Sequence, residues 1–185
     1  MQIAVYSGSF DPLHIGHQAI MEHLTQERKF DWVYLVVSPQ NPFKDPAKAE
    51  SARRRYDAAV DAVLRHPELR VWVDDIELGM EPPHYTIRTL RALKEREPEN
   101  DFTLVIGADN LAVFRAWRDY ADILKEFGVI VFPREGFGTA ELAADLAGED
   151  PAYRIRIADF KEVDISSTVI REGLAEGRDM SEYLM

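Results

Sequence analysis

The chain has 185 residues, 46% of them hydrophobic, enough to bury one sizeable core in a single domain spanning residues 1–185. Its 33 acidic and 22 basic residues give a formal charge of −11, which speaks against nucleic-acid binding, because such surfaces need a basic stripe to displace counterions. It has no cysteine, which excludes disulfides, thiolate metal ligands and thiol nucleophiles.

The first apolar run, Ile3 to Tyr6, reads as a strand, and SGSFDPLHIGH, residues 7–17, follows it directly. Gly8 lets a ligand approach the backbone, Asp11-Pro12 starts a turn, and a helix is expected to begin near Leu13 or His14. The free N–H groups of a helix start make an anion site. His14 and His17 lie on neighbouring azimuths of its first turn, where both can point at a phosphate. Gly16 between them is expected to clear room for a substrate pressing on the helix, and Ile15, Ala19, Ile20 and Leu24 are expected to face inward, with Glu22, Gln26 and Arg28 outside. Two ordinary helix-start histidines are the alternative. A metal pair lacks a third ligand in register, because His23 falls on roughly the opposite side of the helix.

A second strand runs from Trp32 to Val37, and Ser38 to Glu50, with three prolines, reads as a long loop. A second helix from about Ser51 carries Ala58, Ala62 and the triplet Arg53-Arg54-Arg55. Then come a strand at Val71 to Val73, a helix from about Tyr85 to Glu95 and a strand at Phe102 to Ile106. A helical region from Asn110 to Lys125, broken near Trp117 and Arg118, leads to a strand at Val129 to Phe132. Apolar strands alternating with helices predict an α/β fold: a doubly wound, mostly parallel sheet with helices on both faces, binding ligands outside the carboxyl ends of its strands. The apolar runs are far too short to span a bilayer, so a soluble cytoplasmic protein with no membrane contact is expected.

DISSTVIREGL, residues 164–174, starts a further helix, with Ser166, Ser167 and Thr168 as N-cap residues. The positions where a capping box would place Glu or Gln hold Val169, Ile170 or Arg171, so the N–H groups stay open to an outside anion. Arg171 adds a fixed positive charge on the face of Ser167. A plain capped helix with a surface arginine is the alternative. Together with residues 7–17 the segment makes a two-sided phosphate clamp. No Walker-type glycine loop occurs, and Gly136-Phe137-Gly138 lacks the third glycine of a dinucleotide fingerprint.

Ser7 to His17 resemble the signature of the nucleotidyltransferase superfamily, in which a glycine-rich turn with Phe-Asp-Pro precedes His-x-Gly-His. Ile165 to Arg171 resemble its Ile-Ser-Ser-Thr-x-Ile-Arg element. VIGADNLAVFRAW (105–117), PHYTIRTL (83–90) and SPQNPFK (38–44) are similar to internal motifs of the bacterial nicotinate-nucleotide adenylyltransferases, and the likeness runs from Ile3 to about Tyr183. The resemblance implies a Rossmann-like nucleotidyltransferase fold and adenylyl transfer from ATP, accompanied by magnesium (Mg2+), to nicotinate mononucleotide in NAD biosynthesis. It implies ATP contacts at Gly8, Ser9, Phe10, His14, His17, Gly107, Asp109, Ile165, Ser166, Ser167 and Arg171, with His14, His17 and Arg171 as the catalytic group and Asp109 meeting a ribose hydroxyl. It implies mononucleotide contacts at Tyr85, Thr86 and Trp117, the pyridine ring packing on Trp117 and its carboxylate meeting backbone groups near Tyr85-Thr86, while Asn41 and Lys44 in the proline-rich loop are candidates to meet the mononucleotide phosphate or the triphosphate. His84 departs from the family, which more usually has serine there. The rival readings are phosphopantetheine adenylyltransferase and a non-catalytic nucleotide-binding module, and a homo-oligomer stays open.

Overall fold

Six strands, β1 (Gln2–Gly8), β2 (Trp32–Val37), β3 (Val71–Asp74), β4 (Asp101–Gly107), β5 (Val129–Phe132) and β6 (Ile155–Ile157), pair in the order β3-β2-β1-β4-β5-β6. Every neighbouring pair is parallel. The computed structural model describes residues 1–26, 30–39 and 46–185. Parallel neighbours need crossovers, and helices supply most of them: α1 (Ile15–Gln26), α2 (Pro46–Leu64), α3 (Thr86–Arg96), α4 (Ala108–Ala112), the short α5 (Tyr120–Asp122) running into a π-turn at Ile123–Phe127, and α6 (Thr139–Ala147). A last helix, α7 (Ser167–Ala175), follows β6.

Alternate strand residues enter two cores, one on each face of the sheet. Ala4, Val33, Leu35 and Val105 pack under α1 and α2 with Met21, Leu24, Ala59 and Ala62. Ile3, Val5, Leu104 and Ile106 pack under α3 to α6 with Leu90, Leu93, Phe114 and Leu146. The direction of winding reverses between β1 and β4, where a crevice opens at the strands' carboxyl ends. Gly8 ends one of these strands and Gly107 the other.

The structure corrects several expectations from the sequence. β6 and α6 were not foreseen: the strand is three residues long, with Ile155 partly buried and Arg156 and Ile157 exposed, so it leaves little periodic signal. α2 starts at Pro46 rather than Ser51, which shortens the expected loop. It buries Ala59 beside Ala62 while Ala58 is exposed. α1 buries Gly16, Met21, Leu24 and Thr25; Ile15, Ala19 and Ile20 are half-buried, and Ile20 looks into the crevice. The break near Trp117 and Arg118 is present between a 3-10 turn at Phe114–Ala116 and α5. Among the described residues no helix is long and apolar enough to cross a membrane.

Candidate active site

A cleft of about 270 Å³ occupies the crevice between β1 and β4. Gly8, Ser9 and Phe10 line it from the turn after β1, His14, Gly16 and His17 from the head of α1, Gly107 and Asn110 from the end of β4, and Ile165, Ser166 and Ser167 from the head of α7. Residues far apart in the chain thus meet at one end of the sheet.

The two imidazoles stack with centroids 3.7 Å apart. His17 Nδ1 accepts the N–H of His14 at 3.1 Å, reaching back over the first helical turn as a capping-box side chain does, and His14 Nδ1 accepts the N–H of Gly16 at 3.1 Å. A ring nitrogen that accepts carries no proton, so in the neutral rings both protons sit on Nε2. Burial keeps both rings neutral. His14 is lowered to about 4, by desolvation and then by the nearby Arg134 charge, and His17 to about 3, by desolvation, His14 and Arg134.

Phe10 adopts φ 48, left-handed backbone that a phenylalanine rarely takes, and its buried ring meets His17 edge-on at 5.2 Å. A side chain on Gly8 would meet that ring at 3.1 Å. Phe10 therefore contributes a wall as well as backbone. The expectation for Gly16 also changes: a Cβ there would lie 2.9 Å from the His14 ring and 3.2 Å from Ile165, so the glycine makes room for the protein's own histidine rather than for a substrate.

Arg134, just beyond β5, is the one Arg or Lys among the described residues lining the cleft. Its Nε pairs with Asp109 at 2.9 Å and its Nη1 lies 3.6 Å from Glu162. Asp109 is thus engaged by a cation and does not itself line the cleft. A Cβ on Gly107 would collide with both members of that pair, with Arg134 Nε at 2.6 Å. Arg134 escaped the sequence reading because FPREGFG has no periodic or motif signal.

At the head of α7, Ser166 is the N-cap and accepts the N–H of Val169 at 3.2 Å, and the first turn holds no acidic residue. Ser167 Oγ donates to Pro12 O at 3.0 Å, while Arg171 donates to Asp11 O at 2.7 Å and to Thr168 Oγ1 at 3.2 Å. Arg171 lies outside the cleft lining and braces α7 against the turn before α1. Arg55 holds the same turn from the other side. It is the buried member of the arginine triplet and donates to Ser9 O at 2.6 Å and Ser38 O at 3.0 Å. Three consecutive arginines on a helix point about 100° apart, so one of them facing inward was the signal available.

Beside the cleft, buried Glu77 accepts from Ser38 Oγ at 2.5 Å and from Thr89 Oγ1 at 2.8 Å, and Ser38 Oγ lies 3.0 Å from Ser7 Oγ. Burial raises its pKa above the usual carboxylate range. Through this carboxyl the ends of β1 and β2 are tied to α3, whose start carries Tyr85 and Thr86. Tyr85 is 36% exposed, and the Arg118 guanidinium sits 4.8 Å above its ring. Trp117 is half-buried and tilted on Phe114 at 4.9 Å. His84 Nε2 donates to Met80 O at 2.9 Å. Asn41 and Lys44 lie outside the described residues.

The family model described as cytidylyltransferase-like matches residues 5–173, from β1 through the first turns of α7. The chain belongs to that family. Within it the chain falls among the nicotinate-nucleotide adenylyltransferases: it is 38% identical over 180 residues to a protein of Bacteroides fragilis described as a probable nicotinate-nucleotide adenylyltransferase, covering 97% of this chain and 85% of the relative. A Bacteroides thetaiotaomicron protein of the same description is 34% identical over 184 residues, covering 100% and 87%. The Plasmodium falciparum nicotinic acid mononucleotide adenylyltransferase, solved in complex with NaAD, superposes with a TM-score of 0.78 at 18% identity over 99% of this chain and 90% of its own. At that identity the likeness is one of fold: the open parallel sheet is that of a Rossmann-like nucleotidyltransferase.

Proposed function

We propose that the cleft binds ATP and that the chain transfers its adenylyl group to nicotinate mononucleotide, forming deamido-NAD and pyrophosphate. The observation that carries the reading is the pair of neutral imidazoles whose Nε2–H groups are left free, set with Arg134 in a cleft closed by the head of α7. The nucleophile is a phosphate that is already anionic near neutral pH, so the reaction needs neither a strong general base nor a covalent intermediate. Catalysis then consists of holding two polyanions in line and stabilising charge on the group in transfer. His14 and His17 supply hydrogen-bond donors without bringing charge into the empty site, and an arriving triphosphate raises their affinity for protons as the transition state forms.

Arg134 supplies the local positive charge that a chain of net −11 needs to hold a polyanion. Ser167 and Arg171 support the phosphate site by fixing α7 against the turn before α1. Among the described residues no three His, Asp or Glu side chains converge on a metal-sized space, and Asp109 and Glu162 both face Arg134. Magnesium therefore fits as a companion of the triphosphate, held by phosphate oxygens and water and offsetting their charge. Trp117, Tyr85 and Thr86 are read as the pyridine subsite and Asn41 and Lys44 as contacts of the mononucleotide, on the strength of the motifs they belong to. An ATP-consuming step on a small soluble nucleotide suits the cytoplasm, which we take as its location.

The test is pyrophosphate release from magnesium-ATP with nicotinate mononucleotide, nicotinamide mononucleotide or phosphopantetheine as acceptor. Strong preference for the first is expected. Preference for phosphopantetheine would assign the rival transferase, and ATP binding without turnover on any acceptor would leave a non-catalytic nucleotide-binding module.

A further inference from the structure

We infer that residues 180–185 form a positioning segment for the two histidines, fixing the backbone from which His14 and His17 project, with Met185 as its anchor. The inference rests on the proposed role of those rings as donors to the group in transfer. After α7 the chain turns at Gly177, whose φ of 74 is left-handed backbone that glycine takes freely. Met180 then lies over Gly173, where a Cβ would come within 2.5 Å of its sulfur, so α7 carries a glycine at the point where the returning chain crosses it. A 3-10 turn at Ser181–Tyr183 brings the next two residues against the turn before α1. There Leu184 pairs antiparallel with His14, and Met185 N donates to Leu13 O at 3.5 Å.

The segment is held at its far end by two further contacts. The Met185 side chain is 8% exposed and belongs to the same core as Phe10 and Leu13. Arg65, just after α2, donates to Met185 O at 3.0 Å.

A turn that precedes a helix has no hydrogen-bond ladder of its own, so its carbonyls take donors from elsewhere. Asp11 O receives Arg171, Pro12 O receives Ser167, and Leu13 O receives Met185 N. The first two donors come from α7 and hold the start of the turn; the pairing made by residues 180–185 is the one at His14 itself. That position controls both rings. His17 Nδ1 accepts the N–H of His14, and His14 Nδ1 accepts the N–H of Gly16, which leaves each ring proton on Nε2. A displacement of the His14 backbone therefore moves both donors together.

The experiment compares the unsubstituted protein with Met185→Asn, Met185→Leu, Arg65→Gln and Leu146→Ala. It reads melting temperature, kcat and KM for magnesium-ATP with nicotinate mononucleotide as acceptor, and the NMR shifts of the imidazole nitrogens in protein without nucleotide. Met185→Asn is expected to lower kcat roughly 10- to 100-fold, the scale of displacing a reacting group by about 1 Å, while KM for ATP changes far less. The Nδ1 and Nε2 shifts of both rings should also draw together as the two tautomers mix. Met185→Leu, which still fills the core, should restore both readings. Leu146→Ala empties a buried site in the core on the opposite face of the sheet, so it should lower the melting temperature and leave kcat and the imidazole shifts where they are. If Met185→Asn lowers the melting temperature alone, as Leu146→Ala does, residues 180–185 only stabilise the fold and the inference falls. Should Met185→Asn not fold, Arg65→Gln decides, because it changes an exposed side chain and releases Met185 O. A smaller effect of the same kind supports the inference, and unchanged kcat and shifts overturn it. No turnover in the unsubstituted protein would end the proposed function, and the imidazole shifts, read without substrate, would still decide whether the segment positions the rings.

Discussion

His17 shows how surroundings decide a residue's chemistry. Free histidine titrates near 6.5, but with Phe10 edge-on, His14 stacked on it and Arg134 close by, His17 is lowered to about 3 and His14 to about 4. The unfolded chain therefore takes up protons that the folded chain resists. Stability from this pair is complete above about pH 6.5 and declines as pH falls toward the folded values, because the unfolded state binds more protons across that window. Melting curves from neutral to mildly acid pH should show the decline, and His17→Gln should lose less over the same interval. His17→Ala should lower kcat by roughly 10²- to 10³-fold, the usual loss for one preorganised donor, and an effect confined to KM would deny it a role in the transition state. Arg134 acts on both rings through space. Replacing it by Gln should move the His14 and His17 titrations upward in NMR and weaken ATP binding, and unchanged titrations would show that burial alone depresses them.

At the scale of elements, the site depends on how strand ends and helix heads are pinned. Glu77 joins β1 and β2 to α3 by accepting from Ser38 and Thr89, so Glu77→Ala takes the acceptor from the buried Thr89 hydroxyl, leaves Ser38 with Ser7 alone, and should cost about 1–3 kcal/mol, read as a lower melting temperature. Arginines brace the turn before α1 from two directions, Arg55 from α2 through Ser9 O and Arg171 from α7 through Asp11 O. α7 itself begins at a Ser166 cap whose loss to Ala should cost about 1 kcal/mol. Gly107 closes β4 where a methyl group would strike the Asp109–Arg134 pair. Gly107→Ala should therefore raise KM for ATP, and an unchanged KM would remove Arg134 from the ATP site.

For the whole molecule, the net charge of −11 and a binding site for polyanions are in conflict, and the fold resolves the conflict locally. Like charges spread over the surface oppose compaction, so moderate salt should raise the melting temperature by screening them. ATP should act in the same direction through mass action, adding about 2.7 kcal/mol at a concentration 100-fold above its dissociation constant. A melting temperature that ATP does not move would argue against the cleft as its site. The gain should be largest where Arg134 is intact, because that guanidinium is the cation among the described cleft residues.

The parts legible in the sequence are those whose cause is local. Alternating apolar strands and helices announced the parallel sheet, and five of its strands were located, because periodicity depends only on near neighbours. The histidine pair and the capped helix at Ser166 were legible for the same reason: a strand-to-helix turn and an N-cap are written in a few consecutive residues. Arg134, Arg55 and Glu77 were not recognised, since each matters through partners distant in the chain: Asp109, Ser9 and Thr89. Arg171 marks the boundary between the two. The sequence alone determined that a cation stands on the first turns of α7. Only the tertiary structure decided that it donates to Asp11 O instead of lining the cleft, because a side chain's direction is settled by the acceptors that packing brings within its reach.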